Sequence, residues 1–229
     1  MILKNYIISL VLFFGLIANN VSSQEKNFQL KQGDLLFQDV DCGAFCDAIE
    51  KVTFGYNGAK FSHIGIVAFD SIAKNFIVIE AVSAGVKKTS LKDFLNRSHD
   101  KNNNPKVVVG RLKDNFKHLI PKAVSYANDL IGKKYDDVFD IDNDKYYCSE
   151  LIYKIFYQAN KNKPVFELQP MTYKDPDTKN YFKIWVDYFN ELKTPIPEGE
   201  PGTNPGLISR SQKINIIFKY GFPDGWNGE

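Results

Sequence analysis

Residues 148–159 carry the pattern that most restricts how this chain can fold. Apolar residues recur there at helical spacing, and Cys148 lies on the same stripe as Leu151 and Ile152, in the first turn. Because such a stripe has to be buried, the helix is expected to pack on a sheet with the thiol facing inward. A sulfur at a helix N-terminus lies at the positive end of the helix dipole, which favours the thiolate. Cys148 is therefore a candidate nucleophile.

A histidine and a glutamate on two neighbouring strands supply partners for that thiol. His63 opens a segment typical of a buried strand, and the apolar strand Phe76–Ala81 follows after a polar turn. A hairpin closed around residues 71–72 places Glu80 directly opposite His63, close enough to hold the imidazole in one orientation. A charge within an apolar strand also needs a reason. We therefore predict a catalytic set of Cys148, His63 and Glu80.

The remaining periodicity predicts an α+β fold in which an antiparallel sheet packs against helices. The strands come mostly in succession and the helices are segregated from them, which favours this class over a doubly wound sheet. Apolar spacing predicts helices at 44–52, 120–131 and 182–192, with Gly132 ending the second, and strands at 106–112 and 214–218. Residues 194–206 are rich in proline and glycine and are predicted to form a loop.

The N-terminus and the composition suggest an exported protein. A lysine, a short apolar run and small polar residues make residues 1–23 a predicted signal peptide, with cleavage near Ser23, and an uncleaved anchor as the alternative. Residues 24–229 then form one domain, periplasmic or secreted. No later apolar stretch is long enough for a stable membrane span after processing. A net charge of +2 gives no electrostatic reason to expect nucleic acid as a partner.

The odd number of cysteines leaves one thiol unpaired in an oxidising compartment. The chain has three cysteines, and Cys148 is the free one if Cys42 and Cys46 pair. Four residues apart on a helix, two Cα atoms lie ~6 Å from each other, which is near the disulfide range but often poorly oriented. The sequence therefore leaves the pairing of Cys42 and Cys46 open.

Three other uses of the cysteines are less favoured. Cys42 is a rival nucleophile, but the neighbouring Asp39 and Asp41 oppose formation of its thiolate. A zinc site made by all three cysteines and His63 has unsuitable spacing. A redox role for Cys42 and Cys46 lacks the usual two-residue spacing and its structural context. We therefore predict neither a metal nor a cofactor.

Further residues are candidates for substrate binding or for stabilising an oxyanion. The backbone N–H of Cys148, at the helix start, is the predicted oxyanion donor. Each of the other candidates also has a plain structural explanation, such as ring packing for the tyrosine or a turn for the aspartate. These secondary candidates are Tyr147, Ser62, Asp34 and Cys42.

Four short segments in order resemble a known family. They are Gly-Asp-Leu-Leu-Phe at 33–37, Phe-Ser-His-Ile-Gly-Ile-Val at 61–67, Val-Ile-Glu-Ala at 78–81 and Tyr-Cys-Ser-Glu-Leu-Ile at 147–152. Together they resemble the circularly permuted NlpC/P60 papain-like cysteine hydrolases of the YiiX/YaeF type. The resemblance implies a papain-like fold in permuted order, with Cys148 as nucleophile, His63 as base and Glu80 as the third, polar member.

The expected function is that of an exported thiol hydrolase. The resemblance implies cleavage of amide bonds, in cell-envelope peptides such as cell-wall fragments, or of ester bonds. One alternative is a lipid acyl hydrolase or acyltransferase of the same fold, acting on a lipid-like small substrate. The other is a non-enzymatic ligand-binding domain that keeps the cleft of an enzyme ancestor.

Overall fold

The computed structural model describes residues 28–228 and is organised around a six-stranded antiparallel sheet. The strand order is β4-β3-β2-β1-β5-β8, and a separate two-stranded ribbon joins β6 to β7. The strands are β1 (Leu35–Gln38), β2 (His63–Asp70), β3 (Asn75–Val82), β4 (Gly85–Ser90), β5 (Val107–Leu112), β6 (Gln169–Pro170), β7 (Pro201–Gly202) and β8 (Ile214–Lys219).

Six α-helices of the described residues accompany the sheet, and the predicted α+β class is confirmed. All four helices expected from apolar spacing are present, although the second ends at Asp129, two residues before the predicted end. The helices are α1 (Ala44–Val52), α2 (Leu91–Leu95), α3 (Ile120–Asp129), α4 (Cys148–Ala159), α5 (Lys183–Leu192) and α6 (Pro205–Ser209).

Helices α3 and α4 cover one face of the sheet and form the main core with it. Alternate residues of β2, Ile64 and Ile66, are fully buried there beneath Leu151, Ile152 and Ile155 of α4. The apolar stripe of α4 is thus buried against the sheet, as its helical spacing predicts. Cys148 belongs to this same core cluster, as the stripe predicts.

The opposite face of the sheet is covered by α2 and by the residues that precede β1. Val67 of β2 and Val78 of β3 pack there with Phe94 of α2. Glycine at position 65 allows Val78 to pack directly on the β2 backbone, because a Cβ there would lie 2.4 Å from Val78 Cγ1. The strand period of two residues puts His63 on this face with Gly65.

A third cluster, here called the aromatic cluster, lies outside the sheet where α1 and α5 meet. Aromatic rings pack there at right or oblique angles, as between Tyr173 and Trp185, whose centres are 5.1 Å apart. The cluster is built from segments far apart in the chain, which is why helical spacing alone did not predict it. Its buried members are Ala48, Phe139, Tyr147, Tyr173, Trp185 and Phe189.

Two segments differ from the sequence prediction. Strand β4 and helix α2 were not predicted. Residues 85–90 form an edge strand of the sheet and include two lysines, a threonine and a serine, so they lack the apolar pattern of a buried strand. The predicted loop at 194–206 contains β7 and the beginning of α6. Here tertiary contacts impose structure on residues whose local preference is for loops.

The register of the β2–β3 hairpin corrects the predicted one. Ile66 pairs with Ile79, and the turn spans four residues, Ser71–Lys74, so the strands are shifted by two residues from the expected pairing. His63 and Glu80 are therefore diagonal neighbours and not directly opposite. A shift of two preserves the face on which each side chain lies, so the two side chains still meet.

The predicted signal peptide at 1–23 lies outside the described residues. Among residues 28–228, no helix is both long enough and apolar enough to cross a bilayer.

Candidate active site

Three side chains from separate elements meet where β2 begins. Cys148 is the first residue of α4 and is 8% exposed, and its sulfur lies near enough to the His63 imidazole to raise its pKa. His63 is the first residue of β2, and its Nε2–H donates to Glu80 Oε2 at 2.6 Å. That bond leaves Nδ1 of the ring for the sulfur. The structure therefore brings the three predicted residues together, with a hydrogen bond between His63 and Glu80 and the Cys148 sulfur beside the imidazole.

The electrostatics of His63 favour its protonated form at neutral pH. Burial lowers the pKa of the imidazole, but hydrogen bonds to Cys148 and Glu80, together with negative charge on both, raise it to about 9. A protonated imidazole beside the sulfur is the arrangement that stabilises a thiolate–imidazolium pair. The same group is then ready to give a proton to a leaving amine.

Glu80 is held by a clamp that the sequence did not reveal. The carboxylate has no exposure, and Arg97 donates to both of its oxygens, with Nη1 at 2.7 Å from Oε2. The Thr89 hydroxyl donates to Oε1 as well. Burial raises the pKa of Glu80, but Arg97, His63 and Thr89 together bring it well below its usual range. Glu80 is thus a fixed negative charge that orients the imidazole.

Arg97 and Thr89 were missed because they lie on the unpredicted β4–α2 segment. Thr89 is in β4 and Arg97 follows α2, where its guanidinium packs on the Phe94 ring, 5.1 Å from the ring centre. One signal was present in the sequence: a carboxylate in a buried strand requires a cation, and Arg97 is the nearest arginine along the chain.

The first turn of α4 is arranged so that it adds no negative charge beside the sulfur. Glu150 accepts a hydrogen bond from the backbone N–H of Tyr147 at 3.2 Å, as in a capping box. Burial outweighs that hydrogen bond and raises the pKa of Glu150 to about 9, so the carboxyl is protonated at neutral pH. The positive end of the α4 dipole therefore acts on Cys148 without opposition from Glu150.

The thiol lies in an open cleft with a volume of about 840 Å³. One wall comes from α1, with Phe45 and Ile49, and another from the aromatic cluster, with Phe139 and Trp185. The β6–β7 ribbon and the beginning of α6 complete the lining through residues 169–173 and 202–205. The cleft is large enough for several residues of a peptide or for a comparable small molecule.

Three of the four secondary candidates line the cleft, and the polar atoms of two of them, Tyr147 and Ser62, bond within the protein. The Tyr147 hydroxyl accepts the N–H of Thr203 at 3.1 Å, and its ring packs on Phe139 with 5.4 Å between ring centres. The Ser62 hydroxyl accepts the N–H of Val40 at 2.9 Å. Both side chains therefore fix neighbouring segments of the cleft wall.

The other two secondary candidates, Cys42 and Asp34, differ in their position relative to the cleft. Cys42 lines the cleft, but its sulfur is bonded to Cys46, so it is not a nucleophile and does not supply a thiolate for zinc. Asp34 is not among the residues that line the cleft. Arg111 binds both oxygens of its buried carboxylate, at 2.6 and 2.7 Å, which anchors the start of β1. Cys148 is the free cysteine.

Tyr135 is a cleft residue that sequence reasoning did not single out. Burial raises the pKa of its phenol well above the ordinary value, and charge on the nearby Cys148 acts in the same direction. The Tyr135 hydroxyl is thus a neutral hydrogen-bond donor in the neighbourhood of the sulfur. The only hint in the sequence was its position between a helix end and the cysteine segment.

Three carboxylates that do not line the cleft approach one another around a buried lysine. Asp39, Asp41 and Asp224 have oxygens close enough to hold a cation. The Lys106 ammonium lies among them, 3.1, 2.5 and 3.6 Å from the respective carboxylates. This group is an ion-pair network that ties β5 to the loop after β1 and to the C-terminal segment.

A buried Cys-His-Glu chain, with its cysteine at the start of a helix on an antiparallel sheet, defines a papain-like thiol enzyme. The model of the permuted papain-like amidase enzymes, the YaeF/YiiX or C92 family, matches residues 29–218. The chain belongs to this family, which confirms the predicted YiiX-type family and the predicted cysteine-hydrolase class.

Two relatives illustrate the match. The chain is 30% identical over 133 residues to the uncharacterized protein YiiX of Escherichia coli K12, a region that makes up 58% of this chain and 60% of that protein. The crystal structure of metalloprotein YiiX from Escherichia coli O157:H7 superposes with a TM-score of 0.68 at 24% identity, over 86% of this chain and all of the other. The second comparison concerns the fold alone.

Replacing Arg97 by glutamine is expected to destabilise the protein by about 2–3 kcal/mol. Removing one partner of a buried pair costs about 3–5 kcal/mol, and the loss is smaller here because the Arg97 side chain is 26% exposed. The measurement is the free energy of unfolding in urea. Lys92→Gln removes the same charge from α2 as a control and should leave stability nearly unchanged. Equal losses in the two variants would contradict the clamp.

The pKa of His63 is expected to fall when the sulfur is removed. In Cys148→Ala the imidazole loses the sulfur, which together with Glu80 raises its pKa to about 9, while burial, which lowers the pKa, remains. The protein should then lose its imidazolium at a lower pH. An NMR titration of the ring resonances measures this, with the exposed His118 as internal control. An unchanged His63 titration would show that the sulfur does not act on the imidazole.

Proposed function

We propose that this protein hydrolyses amide bonds of peptide substrates through Cys148. The observation that carries the proposal is the series of neighbouring side chains Cys148–His63–Glu80–Arg97. Its thiol end lies in an open cleft, and its other end is fixed by a partly buried ion pair. Papain-like catalysis needs a thiol, a proton carrier beside it and a group that orients the carrier. Cys148, His63 and Glu80 are neighbours in that order.

In the first half of the reaction, the thiolate attacks the carbonyl carbon of the substrate. The oxygen becomes negatively charged beside the backbone N–H of Cys148 and the hydroxyl of Tyr135, which stabilise it. The His63 imidazolium then gives its proton to the leaving nitrogen, the carbon–nitrogen bond breaks, and an amine departs. Glu80 keeps its charge throughout and holds the imidazole in position.

In the second half, water releases the acyl group. The neutral imidazole of His63 takes a proton from water, and the hydroxide so formed attacks the thioester. The carbon–sulfur bond breaks, a carboxylic acid leaves, and the thiolate–imidazolium pair is restored. The overall reaction consumes one water and yields an amine and an acid.

Export of the protein and action on cell-envelope peptides belong to the same proposal. A signal-peptide pattern precedes the domain, and the Cys42–Cys46 disulfide is typical of proteins that leave the reducing cytosol. Peptide amides, including cell-wall fragments, are the substrates such an enzyme meets outside the cytosol. The aromatic lining of the cleft favours a second candidate, a lipid acyl ester, whose chain would pack on Phe45 and Trp185.

Alkylation of Cys148 is expected to depend on His63. At pH 6 iodoacetamide should label Cys148 at least about tenfold more slowly in His63→Ala, because the thiolate loses its imidazolium partner. The measurement is the labelling rate of the Cys148 peptide by mass spectrometry. His118→Ala removes an exposed histidine and should not change the rate. Equal rates in wild type and His63→Ala would overturn the ion pair.

Hydrolysis of amides is expected to require the sulfur. Purified protein is incubated with cell-wall peptide fragments and, separately, with a monomeric phospholipid, and newly formed amine or fatty acid is quantified. Wild-type protein should release amine, and Cys148→Ala should release none while keeping its circular dichroism spectrum. Release of fatty acid alone would favour the lipid candidate, and product release by Cys148→Ala would refute the mechanism.

A further inference from the structure

The chain uses arginine sparingly and in defined places. Its basic residues are 26 lysines and three arginines. Two of the arginines, Arg97 and Arg111, each clamp a buried carboxylate, Glu80 and Asp34 respectively. The third, Arg210, forms no ion pair with any acidic side chain of residues 28–228. Its guanidinium is therefore the one whose five donors are not taken by a carboxylate of the described chain.

Arg210 lines the same cleft as Cys148. No lysine of the described residues lines that cleft, whereas Arg97 and Arg210 both do. Because Arg97 binds Glu80, Arg210 is the lysine or arginine of the cleft lining that has no carboxylate partner among residues 28–228. Its guanidinium carbon lies 4.1 Å from the centre of the exposed Phe54 ring. Stacking of this kind holds the plane of the guanidinium and leaves its edge free for hydrogen bonds.

The Arg210–Phe54 pair is fixed by close packing of α6 on the residues after α1. A Cβ at Gly206 would meet the carbonyl oxygens of Thr53 and Phe54 at 2.7 Å, so the helix lies directly on that backbone. The backbone N–H of Tyr56 also donates to Ser209 Oγ at 2.9 Å. The Arg210 guanidinium and the Phe54 ring therefore lie on two segments, the end of α6 and the residues after α1, that are packed closely against each other.

The same helix is tied to the catalytic helix. The Ser149 hydroxyl, next to Cys148, donates to the carbonyl oxygen of Thr203 at 3.0 Å. One residue later, the Asn204 side chain caps α6 by accepting the N–H of Leu207 at 2.7 Å. This short path of hydrogen bonds fixes α6, and with it the backbone of Arg210, relative to the sulfur.

We propose that Arg210 binds a carboxylate of the substrate and gives the enzyme a preference for substrates that carry one near the scissile amide. The inference rests on the proposed thiol hydrolase. A planar guanidinium matches a planar carboxylate through two parallel hydrogen bonds. A single cation balances a single negative charge, and the cleft offers no second free cation from residues 28–228 for a phosphate dianion. A free C-terminal or side-chain carboxylate of a peptide has this chemistry.

The test uses bromoacetyl peptides, which label the thiol without requiring a known substrate. Bromoacetyl-glycine, -diglycine and -triglycine are compared with their C-terminal amides, and Cys148 forms a bond to the methylene carbon as bromide leaves. At one of these lengths, the acid should label Cys148 about tenfold faster than the amide, as expected for a charge-assisted contact. Arg210→Gln should remove this preference, and Arg210→Lys should retain part of it.

The controls separate this inference from the proposed function. Lys213→Gln removes a nearby cation that does not line the cleft and should keep the preference for the acid. Iodoacetamide labelling, which reports the thiol alone, should be equal in all these proteins. A preference that persists in Arg210→Gln, or equal labelling by acid and amide at every length, would overturn the role of Arg210. An unactivated thiol with an Arg210-dependent preference would instead refute the hydrolase and retain the carboxylate site.

Discussion

The charge of Glu80 is the constraint on which the site depends. A carboxylate with no exposure to water is stable only if its oxygens accept hydrogen bonds from the protein. Here Arg97, Thr89 and His63 donate them. That requirement ties the edge strand β4 and the segment after α2 to the site, since Thr89 lies in β4 and Arg97 follows α2. The third partner is the imidazole, so the group that satisfies the buried charge is also the one that serves the thiol.

Helix α4 connects stability to chemistry. Its apolar stripe covers one face of the sheet, whereas His63 and Glu80 belong to the other face, where Phe94 packs. The two sets of side chains meet only at the end of the sheet where β2 begins and α4 starts. Any shift of α4 along the sheet would separate the sulfur from the imidazole, so core packing also maintains the geometry of the site.

Beyond the ends of β2 and β3, the cleft around the thiol is assembled from parts outside the sheet. The disulfide holds the beginning of α1, and aromatic rings hold α1 to α5. Short segments at 169–173 and 202–210 bring in polar and basic groups. Such loops carry specificity on a rigid scaffold. The distribution of the three arginines follows the same division, with Arg97 and Arg111 in the scaffold and Arg210 at the cleft.

Local sequence pattern determined four of the six described α-helices, most of the sheet and the three central residues of the candidate site. Apolar spacing is a short-range property, and a cysteine on a buried stripe or a glutamate in an apolar strand stands out without any knowledge of distant contacts. The prediction that His63 and Glu80 share a face of the sheet stayed correct although the predicted register was wrong. Side chains alternate between faces every residue, and the register differed by two.

Only the tertiary structure decided which groups surround those residues. The Arg97 clamp, the disulfide, the nearby Tyr135 and the separation of Asp34 from the cleft all depend on contacts between segments tens of residues apart or on side-chain geometry. β4 forms because a neighbouring strand offers it hydrogen bonds, and Arg97 is ordered because a buried charge attracts it. The energy of both comes from partners elsewhere in the chain. The sequence by itself therefore determined the candidate catalytic groups, and long-range packing decided which residues hold them and which line the cleft around them.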